Sequence, residues 1–211
     1  GAVGVVLNRP LGERAPDETF VAVDIPTHEL APSDEDVPLS LVLLVDTSGA
    51  TEPEELELAR GLVEHVLQQL APTDRVALRF GDLVTRAPEG EAAALQPASA
   101  EHAERLLGAL GSATLGGATD LGTMLRGAAS VLEGAPRAAV LYLGDGQPTT
   151  GALDATSIRT ALSQLRRAPR FFALGLGDDA NVDLLRAVMG ESSARTVGSR
   201  DELSAAVLAT L

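Results

Sequence analysis

The chain has 211 residues, 45% apolar but only 2% aromatic, with no Trp, one Tyr, no Cys and a formal net charge of −14. This is enough apolar material for one medium domain with a core of Leu, Val and Ala, and too few rings for a base-stacking platform. The acidity disfavours nucleic acid and anionic lipid. The missing cysteines exclude disulfides and Cys-ligated zinc, and no apolar run nears the roughly 20 residues of a membrane span.

Residues 1–37 form a distinct first segment. Five prolines, Pro10 to Pro38, punctuate the first 38 residues, where eight acids face two arginines. Prolines at that spacing forbid long helices. Val3–Leu7 and Thr19–Ile25 read as short strands, and "APSDEDVP" as a solvated linker. The segment is therefore expected to be an extended β arm or the remnant of a preceding β domain, with the main domain at 38–211. The chain opens on Gly1 and shows no leader pattern, so it reads as part of a longer protein. A cytoplasmic setting is the expectation.

From Leu39 the pattern changes. "LSLVLLVD" (Leu39–Asp46) is a continuous apolar run, as expected of a strand buried on both faces. Glu52–Leu70 carries Leu56, Leu62, Val63, Val66, Leu67 and Leu70 at helical spacing, with Pro53 and three acids at its start. Asp74–Gly81 reads as a strand, and Leu83–Ala87 as its short hairpin partner through Gly81-Asp82. Helices are expected at Ser99–Leu110, with Ser99 as N-cap, and at Leu121–Leu132. Arg137–Gly146 is a second buried strand ending on an acid. There follow a helix at Asp154–Arg167, a strand at Arg170–Gly177, a helix at Val182–Met189, a short strand at "ARTVG" and a closing helix at Asp201–Leu211. Alternation of this kind predicts an α/β fold: a doubly wound, mostly parallel sheet with helices on both faces.

Such sheets bind ligands beyond the carboxyl ends of their strands. Asp46 and Asp145 each stand at the end of an apolar strand. Three segments are expected to meet there: Asp46-Thr47-Ser48-Gly49-Ala50, the glycine-rich turn Gly116–Leu125 with Thr119 and Asp120, and Leu143–Gly151 with Asp145. Two carboxylates and several hydroxyls make a hard oxygen site suited to Mg²⁺, Mn²⁺ or Ca²⁺ rather than zinc or copper. A divalent ion would also offset the repulsion between the two acids. Taken singly, each motif equally fits a helix cap or a common turn.

In order and at this spacing, the three motifs resemble the von Willebrand factor A-type domain, whose metal-ion-dependent adhesion site reads Asp-x-Ser-x-Ser, then Thr, then Asp. The resemblance extends through Phe171–Gly190 and Val197–Val207 and covers about residues 38–211. It implies one antiparallel edge strand, which "LVTRA" could supply. It further implies metal ligation by Ser48 and Thr119, with Asp46 and Asp145 acting mostly through water and hydrogen bonds. The cofactor would be Mg²⁺ or Mn²⁺, and the partner another protein that offers an Asp or Glu to the ion.

Two positions depart from the pattern. Ala50 stands where the family has its second serine, so one oxygen is missing and the site is expected to bind weakly or to be degenerate. Gly144 stands where Thr is frequent. The other candidates carry less. His28, His65 and His102 are scattered, with no His-x-x-x-His pair. Ser48 has no histidine in a triad pattern, and "GGATDLG" lacks the Gly-Lys ending of a phosphate-binding loop. Arg166, Arg167 and Arg170 suit compensation of a helix end. The expected function is a non-catalytic protein-interaction module. The alternative is a metal-dependent phosphoryl-transfer or hydrolytic enzyme on a Rossmann-like fold, against which stands the lack of a second acid at Asp-x-Asp after Asp46.

Overall fold

The computed structural model describes residues 37–197. The expected strands at Val3–Leu7 and Thr19–Ile25 and the helix at Asp201–Leu211 lie outside the described residues. The elements in chain order are β1 (Ser40–Asp46), α1 (Pro53–Gln69), β2 (Arg75–Gly81), β3 (Thr85–Arg86), β4 (Gln96–Pro97), α2 (Ala100–Gly111) and α3 (Leu121–Ser130). They continue with β5 (Ala138–Gly144), α4 (Ala155–Leu162), β6 (Arg170–Leu176), α5 (Val182–Met189), a 3₁₀ turn at Glu191–Ser193 and β7 (Ala194–Val197).

The sheet runs in the order β3-β2-β1-β5-β6-β7, with β4 also paired to β2. β1, β2, β5, β6 and β7 are mutually parallel, and β3 and β4 are antiparallel to β2. The expected antiparallel edge is thus present, filled by two pieces of two residues each. β4 was not legible in the sequence, because two residues, one of them Pro97, carry no periodicity. The chain leaves β1 toward β2 on one side and later returns to β5 on the other. The switch point therefore lies between the ends of β1 and β5.

Strand alternation divides the core in two. Leu41, Leu43 and Val45 face Leu62, Val63 and Val66 of α1 and Leu106 and Leu110 of α2. Val42, Leu44, Val140 and Tyr142 face Leu121, Met124 and Leu125 of α3, Ile158 of α4 and Leu185 of α5. Each of these side chains contributes about 1.5–3 kcal/mol by leaving water. This explains why β1 is apolar from Leu41 to Val45, between Ser40 and Asp46.

Capping sets the helix starts. Ser99 Oγ accepts the His102 amide (3.2 Å) and Asp154 Oδ1 accepts the Ser157 amide (3.0 Å). At the start of α1, the Glu52 amide donates to Glu55 Oε2 (2.9 Å) and Pro53 takes the first helical position. α4 ends at Leu162, short of the expected Arg167. Ser163 folds its hydroxyl back onto the Thr160 carbonyl (2.8 Å), and Pro169 soon follows.

Candidate metal centre

Main-chain bonds draw the three predicted segments together at the switch point. The Gly49 amide donates to the Gly117 carbonyl (2.8 Å), and the Gly116 amide donates to the Thr47 carbonyl (2.9 Å). Gly117 has φ +89, a conformation open to glycine, which lets this turn fold against β1. On the far side of the same turn, the Thr119 carbonyl accepts the amides of Thr149 (3.0 Å) and Thr150 (3.2 Å), and Thr149 Oγ1 accepts the Thr119 amide (2.9 Å). The Thr149 loop follows β5 and carries Asp145. The turn at Gly116–Thr119 is thus laced to both neighbouring segments.

The structure brings Asp46, Ser48, Thr119 and Asp145 to this one rim, where they are 1%, 0%, 0% and 6% exposed. Asp46 is held on both oxygens. Oδ1 accepts the Ser48 amide (2.8 Å) and, at longer range, the Thr51 hydroxyl (3.4 Å); Oδ2 accepts the Tyr142 hydroxyl (2.8 Å). Asp145 Oδ1 accepts the Gln147 amide (2.9 Å). In contrast, Ser48 Oγ and Thr119 Oγ1 are buried and meet the geometry of a hydrogen bond with no partner among the described residues, the Ser48 side chain lying close enough to Asp46 to lower its carboxyl. A buried hydroxyl left unpaired is costly, and such groups call for an explanation.

The electrostatics point the same way. Burial pushes the Asp46 carboxyl above its ordinary range, opposed by the hydrogen bonds it accepts. Burial also raises Asp145, opposed by the Gln147 amide and reinforced by the charges of Asp46 and Asp179. Glu55, in the first turn of α1, is raised by burial and by Asp145 and Asp179, against the Glu52 amide. Asp145 and Glu55 thus also feel the acids beside them at this rim. Arg86, the nearby arginine, is engaged with Asp82 and with Thr47 Oγ1 (3.3 Å).

Among the described residues, no three His, Asp or Glu side chains gather as a ligand set. An ion at this rim would have to use hydroxyl oxygens, and two such oxygens stand free. The donor set fits a hard cation. Ala50 is exposed and brings no oxygen. Asp120 caps α3 through the Thr123 amide (3.0 Å). His102 packs, with Nδ1 against the Pro97 carbonyl (3.1 Å) and Nε2 toward Glu91 (3.5 Å).

Three residues around the site were not singled out from sequence: Tyr142, Thr51 and Thr149. Tyr142 could have been noticed as the single phenol in an aliphatic strand, two residues before Gly144 and hence on its face. Thr51 and Thr149 are ordinary loop threonines with no distinguishing pattern.

The family model described as von Willebrand factor type A domain matches residues 39–193. No curated protein sequence matches the chain. Among solved structures, a von Willebrand factor type A protein from Catenulispora acidiphila is similar with a TM-score of 0.67 and 19% identity, covering 82% of this chain and 40% of that one. The proximal thread matrix protein 1 of the mussel byssus, in a form with a zinc-occupied MIDAS motif, gives 0.61 and 17% identity, covering 83% and 48%. The pilus adhesin SpaC of Lactobacillus rhamnosus GG gives 0.62 and 17% identity, covering 82% and 29%. The chain thus spans less than half the length of each of these proteins.

Proposed function

The chain belongs to the von Willebrand factor type A family, and from that premise we propose that its rim site holds Mg²⁺ or Mn²⁺ and recruits a carboxylate from a partner protein. The observation that carries this reading is the pair of buried, unpartnered hydroxyls, Ser48 Oγ and Thr119 Oγ1, beside two acids. Hydrogen-bond accounting divides the roles. Asp46 already accepts from Ser48, Thr51 and Tyr142, and Asp145 from Gln147. These acids are suited to orient water and balance charge, while the neutral hydroxyls provide direct oxygens. When bound, the ion supplies a Lewis-acidic position that is only partly neutralised and seeks one more anionic ligand.

Ala50 removes one oxygen from the family's set, so the site is weaker than a complete one and relies on water at that place. Hard donors favour Mg²⁺ or Mn²⁺ here, although one similar protein is described with zinc. The rim also offers apolar surface. Leu83, Val84 and Leu153 are the large apolar side chains exposed among the described residues. The first two follow Asp82, whose carbonyl accepts the Asp120 amide (3.0 Å). Leu153 follows Gly151 and Ala152, which pack on Asp120 and Gly122. All three therefore flank the Thr119–Asp120 corner. An acid flanked by aliphatic or aromatic residues would suit both features of this surface.

The role we assign is binding without catalysis. Calorimetric titration of the chelator-treated chain with Mn²⁺ and Mg²⁺ tests it. Saturable binding that Ser48→Ala weakens is the expected result. No binding of either ion, or turnover of phosphate esters that Asp145→Asn stops, would sink it.

A further inference from the structure

Tyr142 sits in the middle of β5, fully buried, with its ring among Val42, Leu44, Leu121 and Leu125. Its hydroxyl has two polar partners. It donates to Asp46 Oδ2 (2.8 Å) and accepts the Gly146 amide (3.2 Å). Gly146 directly follows Asp145, in the turn where the chain leaves β5 with φ +67. One oxygen atom therefore joins the acid at the end of β1 to the turn that carries the acid at the end of β5.

Gly144 makes this geometry possible. Tyr142 and Gly144 lie on one face of β5, and Val45 pairs with Leu143, which sets Asp46 beside Gly144. A Cβ at position 144 would lie 2.5 Å from Tyr142 Oη, 2.8 Å from its Cζ and 2.5 Å from the Asp46 Cβ. The missing side chain is the space through which the phenol reaches Asp46.

We infer that Tyr142 is a positioning residue for the ion: its phenol, entering the gap at Gly144, fixes Asp46 and the Asp145 turn as one unit. This rests on the metal-binding reading above. Groups that orient carboxylates around a metal typically change its affinity 10–100-fold when removed. Tyr142→Phe deletes the oxygen and keeps the ring, so Mn²⁺ should bind about 10-fold more weakly while the core stays packed.

Because the chain has one Tyr and no Trp, emission excited in the phenol band, beyond the absorption of its four Phe, comes from this ring alone. A carboxylate hydrogen-bonded to a phenol quenches its emission by accepting the proton in the excited state, and a cation held beside the fixed carboxylate lowers its basicity and so weakens that quenching. Calorimetric titration of the full chain and of Tyr142→Phe with Mn²⁺, and of the full chain with non-quenching Mg²⁺ followed by tyrosine emission, makes the test. The expected result is the affinity loss, together with an emission change whose midpoint matches the Mg²⁺ calorimetric midpoint. Wild-type affinity in Tyr142→Phe overturns the inference and leaves the metal reading standing, as does emission that stays flat while heat shows Mg²⁺ binding. If the wild-type chain binds neither ion, both fall together. Should Tyr142→Phe fail to fold, the wild-type emission decides alone.

Discussion

Thr119→Val separates the two states of the rim by sign. Thr119 is fully buried, its backbone amide and carbonyl are both bonded to the Thr149 segment, and its hydroxyl has no partner among the described residues. Valine keeps the branched shape and replaces only the hydroxyl. A buried hydroxyl without a partner costs about 1–3 kcal/mol, so its removal should stabilise the metal-free protein by about 1 kcal/mol or more. For a domain of this size each kcal/mol moves Tm by about 2–4 °C. Bound ion acts in the other direction. At 100 times Kd, a ligand stabilises the wild-type chain by about 2.7 kcal/mol, and much of this increment should be lost with the ligand oxygen. Scanning calorimetry in chelator and in saturating Mg²⁺ reads both effects. In chelator the variant melts above wild type; in Mg²⁺ it melts below. A variant that melts lower in chelator, or one that keeps the whole Mg²⁺ increment, would refute the assignment of Thr119.

Restoring the absent oxygen with Ala50→Ser should tighten Mn²⁺ binding several-fold by calorimetry, about 1 kcal/mol for one added ligand hydrogen bond or coordination. The raised carboxyls of Asp46, Asp145 and Glu55 mean that the folded chain holds more protons than the unfolded chain between the ordinary carboxylate range and the raised values. Stability contributed by these groups therefore falls as pH rises through that window. The metal-free Tm should gain on mild acidification, less so in Asp46→Asn, while the Mg²⁺ increment shrinks as protons compete for the site. Gly144→Ala forces a methyl to 2.5 Å from the Asp46 Cβ and the Tyr142 hydroxyl. Urea unfolding should show a loss of about 1–3 kcal/mol, typical of overpacking. Leu83→Ser with Val84→Ser should leave Mn²⁺ affinity unchanged in the same titration, because these side chains are exposed and stand outside the oxygen set.

What could be read from the sequence was whatever one segment announces by itself. β1, β5 and β6 were legible because a strand buried on both faces must be apolar at nearly every position. Asp46 and Asp145 drew notice because each ends such a run, but a cap or a turn explained either acid equally well, and only the three segments in order pointed to one rim. β4 and the shortened α4 were not, since two residues have no period and a serine turning back on its own helix looks like any other serine. The unpaired hydroxyls of Ser48 and Thr119 were also out of reach, because a sequence lists donors and acceptors without saying which of them find one another.

Gly144 makes the sharper case. In the sequence it is a glycine where the resembling family frequently has Thr. The register of β1 on β5 gives it a meaning: it stands beside Asp46 and two residues above Tyr142, and the phenol takes the space it leaves. The hydroxyl that reaches Asp46 from this face of the strand is that of Tyr142. Ala50 has no counterpart of this kind. The nearby Thr51 hydroxyl is turned toward Asp46, at 3.4 Å from Oδ1 and 3.5 Å from the main-chain oxygen. The two departures from the motif thus differ physically: at Gly144 a phenol from the same strand face fills the space, while beside Ala50 the neighbouring hydroxyl is turned toward Asp46.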